Sequence, residues 1–284
     1  MDLRDLFFLN LIQKMKKNKK IILLSVDMGS QVINKNLKYL KEQYINVGVS
    51  ESNAISVAAG MASRGFIVYV YGISTFIFNR PRAQIRHDVI IGNNHINIIG
   101  SGVGLTYSQD GPSHHPVEDY TGLCSLPNSK LIIPFDEKSA ELAVKETLNK
   151  KFSTFIKLDK GNTENKYLKY ENGFYYKIKN KKKWVITTGM EASSILNDKS
   201  YSDYSVGVLF ASYKNNLNFI KKFIPKNSEI IVSDESFAIG GLYSYITTLL
   251  SLAKSYNVVN KCLNNKFIQK KYNRLSLRKK YAVI

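Results

Sequence analysis

The sequence predicts a two-domain α/β protein, with a parallel-sheet domain first and a smaller α/β domain after it. Short, nearly all-apolar runs alternate with helical segments through the first half of the chain. This alternation is typical of a parallel sheet covered by helices on both faces. Between residues 161 and 183 the composition changes to Asn, Lys, Glu and Tyr. A second alternating series follows, and 284 residues are enough for two domains of ordinary size.

The first domain is assigned to residues 1–160. Its expected elements, in order, are helix 3–18, strand 20–26, helical piece 37–44, strand 45–49, a helix from Glu51, strand 66–71, a helix after Pro81, strand 95–102, a helix from about 117, strand 130–134, helix 136–149 and strand 153–158. Ligands in parallel α/β sheets bind beyond the carboxyl ends of the strands. The residues that follow these ends, and that we therefore expect on one edge, are Asp27, Glu51, Ser74–Phe78 and Gly102–His115.

Residues 161–182 are interpreted as a linker plus an edge strand, and residues 183–284 as the second domain. The expected edge strand is the run GFYYKI. The elements expected in the second domain are strand 183–189, a helix from Glu191, strand 205–212, helix 214–224, strand 228–235, a helix after Gly241 and strand 256–261.

The composition argues against several classes of function. The net charge is +19, from 41 Lys+Arg and 22 Asp+Glu, but no aromatic-interleaved basic pattern occurs, so nucleic-acid binding is not favoured. No run of 18 apolar residues predicts a membrane span, and the start of the chain reverses the charge order of a secretory signal peptide. Two distant cysteines and four scattered histidines form no zinc or redox motif, so a reduced, cytoplasmic protein is expected.

Residues 46–60, NVGVSESNAISVAAG, are the stretch most suggestive of a site. A β-type run ends here, and Glu51 opens a helix. The apolar residues spaced as one buried helical face are Ala54, Val57, Ala58 and Met61. By itself, Glu51 has two interpretations. It is either an acid favoured by the helix dipole or a partly buried carboxylate that exchanges a proton with a ligand.

Two further motifs follow strand ends. The segment 110–115, DGPSHH, is either ordinary turn chemistry or a loop that presents Asp110 and His114 to a polar ligand. Phe76 and Phe78 either pack in the core or stack on a planar ring. Glycines precede the DGPSHH loop, but no helix directly follows them, so a dinucleotide site is not favoured.

Four segments in this order resemble the transketolase family: NVGVSESNAISVAAGMASRG, STFIFNRPRAQIRHD, GLTYSQDGPSHHPVEDYTGLCSLPN and LIIPFDEKSAELA. The resemblance is dense over residues 20–160 and thinner at WVITTGMEAS and EIIVSDESFAIGGL. The sequence is similar to the carboxyl-terminal half of transketolases, which consists of the pyrimidine-binding domain and the small third domain. The resemblance implies thiamine diphosphate, bound between the pyrimidine domain of one polypeptide and the diphosphate-binding domain of another.

By resemblance, Glu51 matches the glutamate that hydrogen-bonds N1′ of the aminopyrimidine and activates the cofactor by sharing a proton. Phe76 and Phe78 match aromatic residues that pack on this ring, although NRPRAQIR departs from the usual pattern just after them. Asp27 and Ser30 lie where family members contact cofactor or substrate. The resemblance therefore implies cofactor binding by Glu51, Phe76, Phe78 and Asp27, and substrate binding by Ser30.

Asp110 and His114 match loop residues that contact the sugar hydroxyls and carbonyl, so His114 is also a catalytic candidate. Lys160 falls where many members carry an arginine for the substrate phosphate. The position near Gly102 lacks a histidine of many transketolases. This departure weakens the expectation of the usual sugar phosphates and suggests a specialised pathway, such as one for a surface-polysaccharide sugar. The segment IGGL at 239–242 is interpreted as structural and dimer-forming.

The diphosphate-binding half of the family is missing from this sequence. It contains no Gly-Asp-Gly followed by Asn at the family's spacing, the pattern expected to hold Mg²⁺ and the diphosphate. We therefore assign no metal ligand here and expect a separately encoded diphosphate-binding subunit, in an α2β2 heterotetramer. That subunit would supply the Mg²⁺ ligands.

The expected activity is transfer of a two-carbon ketol unit from a ketose to an aldose, with sugars or sugar phosphates as substrates. Two alternatives stay open. One is a decarboxylating relative, such as a deoxyxylulose-phosphate synthase-like or 2-oxoacid dehydrogenase β-type subunit. The other is a non-catalytic scaffold that only binds a partner.

Overall fold

The computed structural model describes residues 1–148, 152–161, 168–189, 191–212, 216–252, 256–269 and 272–281. The chain divides into two compact units: unit 1 comprises 1–102 and 123–162, and unit 2 comprises 103–122 and 163–284. The expected first domain, 1–160, therefore differs from unit 1 at 103–122, which belong to unit 2, and at 161–162, which unit 1 includes. Within the described ranges, no helix is long and apolar enough to cross a membrane.

Unit 1 is built on a six-stranded sheet in which every neighbouring pair of strands is parallel, as the apolar runs predict. Its strands are β1 (Ile21–Ser25), β2 (Tyr44–Asn46), β3 (Ile67–Ile73), β4 (Asn97–Ser101), β5 (Ser129–Ile132) and β6 (Ser153–Leu158), in the order β2-β1-β3-β4-β6-β5. The side chains of β1, β4 and β6 are buried throughout, because helices cover both faces. In contrast, β2 is a short, partly exposed edge strand rather than the core strand expected at 45–49.

Helices separate the strands of unit 1 along the chain. In chain order the helices are α1 (Leu3–Lys17), α2 (Gln31–Asn36), α3 (Glu51–Ser63), α4 (Ser74–Asn79), α5 (Arg82–Gln84) with a π-helical continuation (Ile85–Ile91), α6 (Asp119–Cys124), which begins in unit 2, and α7 (Glu137–Thr147). The first helix begins at Asp2, whose carboxylate accepts the N–H of Arg4 at 2.9 Å. A reciprocal capping box of Asp136 and Ser139 starts α7, which packs against α1.

Two helices differ from their sequence-based outlines. The buried residues of α3 are Glu51, Ala54, Ile55, Ala58 and Ala59. Val57 is 38% exposed and Met61 is only partly buried, so placing these two on the buried face was wrong. The helix turns the 51-54-55-58-59 stripe inward because that side packs on β3, and the stripe includes Glu51 itself. A helix also begins at Ser74, directly after β3, whereas a helix was expected only after Pro81.

Unit 2 contains a second six-stranded sheet with mixed strand directions. Its strands are β7 (Lys169–Glu171), β8 (Phe174–Lys177), β9 (Lys183–Thr188), β10 (Ser205–Leu209), β11 (Glu229–Phe237) and β12 (Asn257–Leu263), in the order β12-β11-β9-β10-β8-β7. The β7–β8 hairpin pairs antiparallel to β10, and the other pairs are parallel. A strand is confirmed at GFYYKI, as β8, but placing it at the edge of the sheet was wrong, because β7 pairs with its outer side. Residues 162–167 of the expected linker lie outside the described residues.

The described helices of unit 2 include one that the sequence outline lacks. They are α8 (Glu191–Asn197), α9 (Asn216–Phe223), α10 (Leu242–Ser251) and α11 (Arg274–Lys280). Asn273 caps α11 by accepting the N–H of Ser276 at 2.9 Å. Only Leu277 and Arg278 of this helix are buried. One apolar and one basic buried residue make no amphipathic pattern, so periodicity alone does not reveal α11.

Candidate active site

The candidate residues of unit 1 lie at the carboxyl ends of its parallel strands. Asp27 follows β1, Glu51 follows β2, Ser74 follows β3 and Lys160 follows β6. Neighbouring parallel strands end on the same edge, where α/β proteins bind ligands. The expectation of one shared edge is confirmed for Asp27, Glu51 and Ser74, and Lys160 lies on the same edge. The loop after Gly102 belongs to unit 2.

A reciprocal side-chain pair fixes the turn after β1. The N–H of Asp27 donates to Oδ1 of Asn46 at 3.1 Å, and Nδ2 of Asn46 donates to Oδ1 of Asp27 at 3.0 Å. Oδ1 of Asn46 also accepts the N–H of Gly48 at 3.0 Å. Asp27 is exposed and has a φ of +58°, a conformation that Asp tolerates better than most residues. Asn46, which the sequence analysis did not single out, therefore holds Asp27 against the turn that precedes Glu51.

Glu51 is a buried carboxylate at the amino terminus of α3. Its side chain is 7% exposed, and its Oε1 accepts a hydrogen bond from Nη1 of Arg80 at 2.9 Å. The side chain of Arg80 is 50% exposed. Ser50 gives α3 no side-chain cap, because its hydroxyl donates to the carbonyl of Val47 at 2.8 Å. The helix dipole also favours a negative group at this position. The carboxylate of Glu51 is buried, whereas its partner, the guanidinium of Arg80, reaches solvent.

The same arginine stacks on one of the two candidate aromatic rings. The guanidinium carbon of Arg80 lies 4.2 Å from the ring centroid of Phe76. Phe78 is 1% exposed and meets the ring of Phe155 edge-on at 5.9 Å. A Cβ at Gly100 would lie 2.5 Å from the ring of Phe78, so this ring fills space that the glycine leaves. The geometry favours Phe76 for a stacking function and Phe78 for core packing.

Ser30 and Lys160 occupy different environments. The buried hydroxyl of Ser30 accepts the N–H of Ile33 at 3.1 Å and so caps α2. Lys160 is exposed just after β6. Gly102, where the sequence lacks the histidine of many transketolases, has a φ of +102°, a region that favours glycine. Its carbonyl accepts the hydroxyl of Ser74 at 2.6 Å, so the backbone conformation of this position is well fixed.

In unit 2, the loop with Asp110 and His114 consists of successive tight turns. The N–H of Asp110 donates to the carbonyl of Tyr107 at 2.9 Å, and the N–H of His114 donates to the carbonyl of Gly111 at 3.0 Å. The ring of His114 lies edge-on to that of Tyr107, with centroids 6.1 Å apart. Nδ1 of His114 is 3.0 Å from the hydroxyl of Ser113. Asp110 is exposed and His114 is half-buried, so both are accessible to a ligand.

His115 is a buried imidazole next to this loop that the sequence analysis did not single out. It is 2% exposed, and among the described residues its Nε2 has no hydrogen-bond partner. Burial lowers the pKa of His115, and a hydrogen bond with the backbone of Tyr107 and the charge of Glu235 only partly oppose this effect. His115 is therefore a neutral side chain beneath the loop at neutral pH, rather than a second surface histidine.

Glu51 and Phe76 both contact the guanidinium of Arg80, which is a planar cation that carries nitrogen. The guanidinium of Arg80 donates to the carboxylate and lies over the aromatic ring at the same time. A planar nitrogen heterocycle that takes the place of this guanidinium would meet the same two groups. The residues of unit 1 thus fit the aminopyrimidine ring of thiamine diphosphate.

Similarity to known proteins identifies the family of this chain. Residues 1–166 match the family described as transketolase, pyrimidine binding domain, which covers more than half of the chain. The chain therefore belongs to the transketolase family, whose members are thiamine diphosphate-dependent transferases. It corresponds to the carboxyl-terminal part of that family. The sequence-based identification of the family and of its two-domain α/β fold is confirmed.

Three relatives illustrate the extent of the similarity. A Methanocaldococcus jannaschii protein designated a transketolase C-terminal section is 30% identical over 163 residues, which are 57% of this chain and 51% of that protein. One of the subunits of the apulose-4-phosphate transketolase of Phocaeicola vulgatus is 23% identical over 87% of this chain and 83% of that protein. The transketolase-like protein 2 of Mus musculus is 33% identical over 60% of this chain, but only 27% of that protein is covered. The chain thus spans about half or less of the length of two of these relatives.

Solved structures show the same fold across the whole chain. A split gene transketolase in an inactive beta4 tetramer superposes with a TM-score of 0.83, 21% identity and coverage of 100% of this chain and 94% of that one. Transketolase from Leishmania mexicana gives a TM-score of 0.80 at 17% identity, over 99% of this chain and 43% of that one. The fold of both units is therefore that of the carboxyl-terminal part of transketolases.

Proposed function

We propose that this chain is the carboxyl-terminal subunit of a two-subunit transketolase that transfers a two-carbon ketol unit from a ketose to an aldose. The observation that carries the proposal is the buried carboxylate of Glu51, whose partner guanidinium also stacks on Phe76. A carboxylate and an aromatic face are the two groups that a protonated aminopyrimidine requires. When bound, thiamine diphosphate would supply the nucleophile and the electron sink for cleavage of the ketose.

In this proposal each residue of unit 1 has a specific task toward the cofactor. Glu51 would accept a hydrogen bond from the pyrimidine ring and hold or release a proton there. Phe76 would provide the stacking face, while Asp27, fixed by Asn46, would contact the cofactor from the next strand end. Phe78 would support Phe76 through the core rather than touch the ring.

The proposal assigns substrate binding to Asp110, His114, Ser30 and Lys160. Asp110 and His114 would bind the hydroxyls and carbonyl of the sugar, and His114 would act as a catalytic residue there. Lys160 would bind a substrate phosphate as a point charge, and Ser30 would contact the substrate while capping α2. We propose sugars or sugar phosphates as substrates.

A second polypeptide completes the proposed enzyme. The sequence lacks the Gly-Asp-Gly…Asn pattern, so the Mg²⁺ and diphosphate ligands would come from a diphosphate-binding subunit, in an α2β2 assembly. The names of two relatives, one of them a subunit of a transketolase and the other a split gene transketolase, support this division. We also propose a cytoplasmic location, since both cysteines are free thiols.

Calorimetry with thiamine diphosphate and Mg²⁺ tests the proposal directly. The chain alone and its mixture with the diphosphate-binding subunit are titrated under the same conditions. We expect binding only in the mixture, together with ketol transfer between sugars. Tight binding by the chain alone would mean that the diphosphate is held here, and the two-subunit proposal would fall.

One relative provides a reason to test a decarboxylating activity as well. The 1-deoxy-D-xylulose-5-phosphate synthase of Dictyoglomus turgidum is 28% identical over 80% of this chain and 38% of that protein. The DGPSHH loop favours ketol transfer. Release of CO₂ from a 2-oxoacid by the reconstituted complex, without ketol transfer, would favour the decarboxylating alternative. Cofactor binding without either activity would favour a scaffold.

A further inference from the structure

The carboxylate of Glu235 is buried near the end of β11 and is bound by the carboxyl-terminal helix. Its side chain is 3% exposed. Nε of Arg274 donates to Oε1 at 2.8 Å, and Nη2 of Arg274 donates to Oε2 at 2.8 Å, which makes a two-pronged ion pair. Nε of Arg278 also lies close to this carboxylate, 3.1 Å from Oε1 of Glu235. Two arginines of α11 therefore fix the position and orientation of one carboxylate.

The same carboxylate binds the backbone at the start of the DGPSHH loop. Oε2 of Glu235 accepts the N–H of Leu105 at 2.8 Å. A Cβ on Gly104 would lie 2.3 Å from Cβ and 2.6 Å from Oε2 of Glu235, and the φ of Gly104 is +52°. Only glycine permits this close approach without displacement. The loop backbone is thus held directly against the side chain that α11 fixes.

The contact between Glu235 and the backbone of Leu105 is the loop anchor. Short hydrogen-bonded turns connect this anchor to the candidate substrate residues Asp110 and His114. The N–H of Thr106 donates to the carbonyl of Val103 at 3.1 Å, and the N–H of Asp110 donates to that of Tyr107. The Tyr107 ring then contacts the ring of His114. The distance along the chain from Leu105 to Asp110 is only five residues, so a shift at the anchor reaches the loop within two turns.

Apolar packing and backbone hydrogen bonds join the helix and the loop a second time. One buried cluster contains Leu105 and Val117 from the loop segment, Phe237 and Leu263 from the strands, Ile268, and Leu277 from α11. The N–H of Phe237 donates to the carbonyl of Val117 at 2.8 Å. These contacts lie wholly within unit 2. Helix α11, the end of β11 and residues 103–122 thus form one packed assembly.

We propose that Glu235, fixed by Arg274 and Arg278, is a positioning residue that sets the conformation of the loop carrying Asp110 and His114. The carboxyl-terminal helix therefore contributes to substrate affinity although none of its residues touches substrate. A carboxylate suits this task because it accepts hydrogen bonds from Arg274 and from a backbone N–H at once, while the charge of Arg278 lies close to it. The effect on substrate affinity rests on the proposed function, whereas the effect on loop conformation does not.

Hydrogen exchange of the full-length chain measures loop conformation without cofactor or partner. In Arg274→Met, which keeps an unbranched apolar side chain but removes the ion pair, we expect amide exchange in residues 103–116 to accelerate about tenfold or more. Lys279→Met, an exposed position on the same helix, is the matched control and should leave this exchange unchanged. Unchanged exchange in 103–116 in Arg274→Met, with faster exchange in 274–280, would overturn the proposal.

A variant on the loop side tests the same contact without altering α11. Gly104→Ala should accelerate exchange in residues 103–116 because its new Cβ meets Glu235. Gly65→Ala is the control for backbone strain, since Gly65 also has a positive φ, +89°, but a Cβ there meets nothing within 4 Å. Wild-type exchange across the loop in Gly104→Ala would contradict the proposed anchor, even if Arg274→Met failed to fold.

Kinetics of the reconstituted complex tests the consequence for the substrate. With sugar donors we expect Arg274→Met to raise KM about three- to tenfold and to change kcat less than about twofold, because the loss is one of preorganised binding. A proportional loss of kcat with constant KM would indicate fewer folded molecules and would overturn the positioning function. If the wild-type complex shows no ketol transfer, the proposed function fails while the exchange experiment still decides the loop anchor.

Discussion

Glu51 in unit 1 and Glu235 in unit 2 are both buried carboxylates that pair with arginine, but their surroundings differ. Glu51 has an ion pair with one arginine, Arg80, whose side chain is 50% exposed. Glu235 has ion pairs with Arg274 and Arg278, which are 22% and 9% exposed, and also accepts a backbone N–H. Because Arg80 reaches solvent, we expect water or a ligand to replace it more easily than the partners of Glu235, which are better shielded among the described residues.

This contrast separates a carboxylate that can exchange partners from one that fixes structure. A group that gives and takes a proton must be buried enough for its surroundings to shift its pKa, and yet open enough to contact a ligand. Two arginines that are largely shielded from solvent produce the opposite around a buried carboxylate, because removing either one leaves less of the interior charge compensated. Burial alone would not distinguish Glu51 from Glu235; the exposure of the arginine partner does.

The largest expected effect is on turnover. Glu51→Gln retains the shape and a hydrogen-bonding group but cannot exchange a proton, so activity of the reconstituted complex should fall about 10²–10⁴-fold. Light scattering should show that the variant still assembles with its partner. Glu42→Gln, at an exposed acid of the same unit, is the control and should keep full activity. Normal turnover of Glu51→Gln would show that Glu51 does not exchange a proton in catalysis, and the functional difference between Glu51 and Glu235 would not hold.

The second effect concerns the stability of unit 2. Glu235→Ala removes the carboxylate that Arg274 and Arg278 share and should lower the free energy of unfolding by about 3–5 kcal/mol. Trp184, the one tryptophan of the chain, is buried in unit 2, and its fluorescence follows the unfolding of this unit in denaturant. Glu171→Ala breaks the exposed pair with Lys222 and should leave the midpoint within error. Equal midpoints for the two variants would show that the buried arginines do not make Glu235 structural.

The third effect is a pH dependence from the neighbouring carboxyl of Glu191. Burial, reinforced by Asp234 and Glu235 and opposed by the ion pair with Arg278, raises the pKa of Glu191 from 4.5 to about 8. Burial is the largest cause, and the negative charges of Asp234 and Glu235 add to it. The folded state thus holds a proton that the unfolded chain has released above pH 4.5. This contribution to stability is complete below pH 4.5 and is lost as the pH rises through about 8.

Denaturation followed by Trp184 fluorescence at several pH values measures this linkage. Glu191→Gln should flatten the decline in stability between pH 5 and pH 8.5 relative to wild type. The lowered pKa of His115 acts in the opposite direction, since it removes stability as the pH falls, and it stays in place in the variant. An unchanged decline in Glu191→Gln would assign the proton to another group of the cluster.

The smallest expected effect is at Arg80. Because this guanidinium is half exposed, water can replace it, and Arg80→Met should cost about 1 kcal/mol or less. Hydrogen exchange of residues 51–63 measures the local change, and Arg274→Met serves as the comparison in unit 2. If Arg80→Met lowered the exchange protection of α3 as much as Arg274→Met lowers that of residues 103–116, the distinction between Glu51 and Glu235 would not hold.

Much of the fold follows from the sequence alone. Apolar runs predict nearly every strand, because strands buried on both faces need apolar side chains throughout. The order of Glu51, the two phenylalanines and the DGPSHH loop identifies the family, and the comparisons confirm it. The residue types at these positions also indicate their chemistry: a carboxylate for proton exchange, an aromatic ring for stacking and a histidine for a polar substrate.

Only the tertiary structure decides which partner each of these residues has. The inward turn of α3, the choice between Phe76 and Phe78, and the pairing of Glu51 with Arg80 depend on packing against β3 and β4, not on local pattern. Helix α11 has no clear periodicity, because one of its two buried residues is an arginine whose burial requires acids more than 40 residues away. Local sequence determines which chemical groups are present. Contacts between distant segments determine whether a buried carboxylate holds the structure or is available to a ligand.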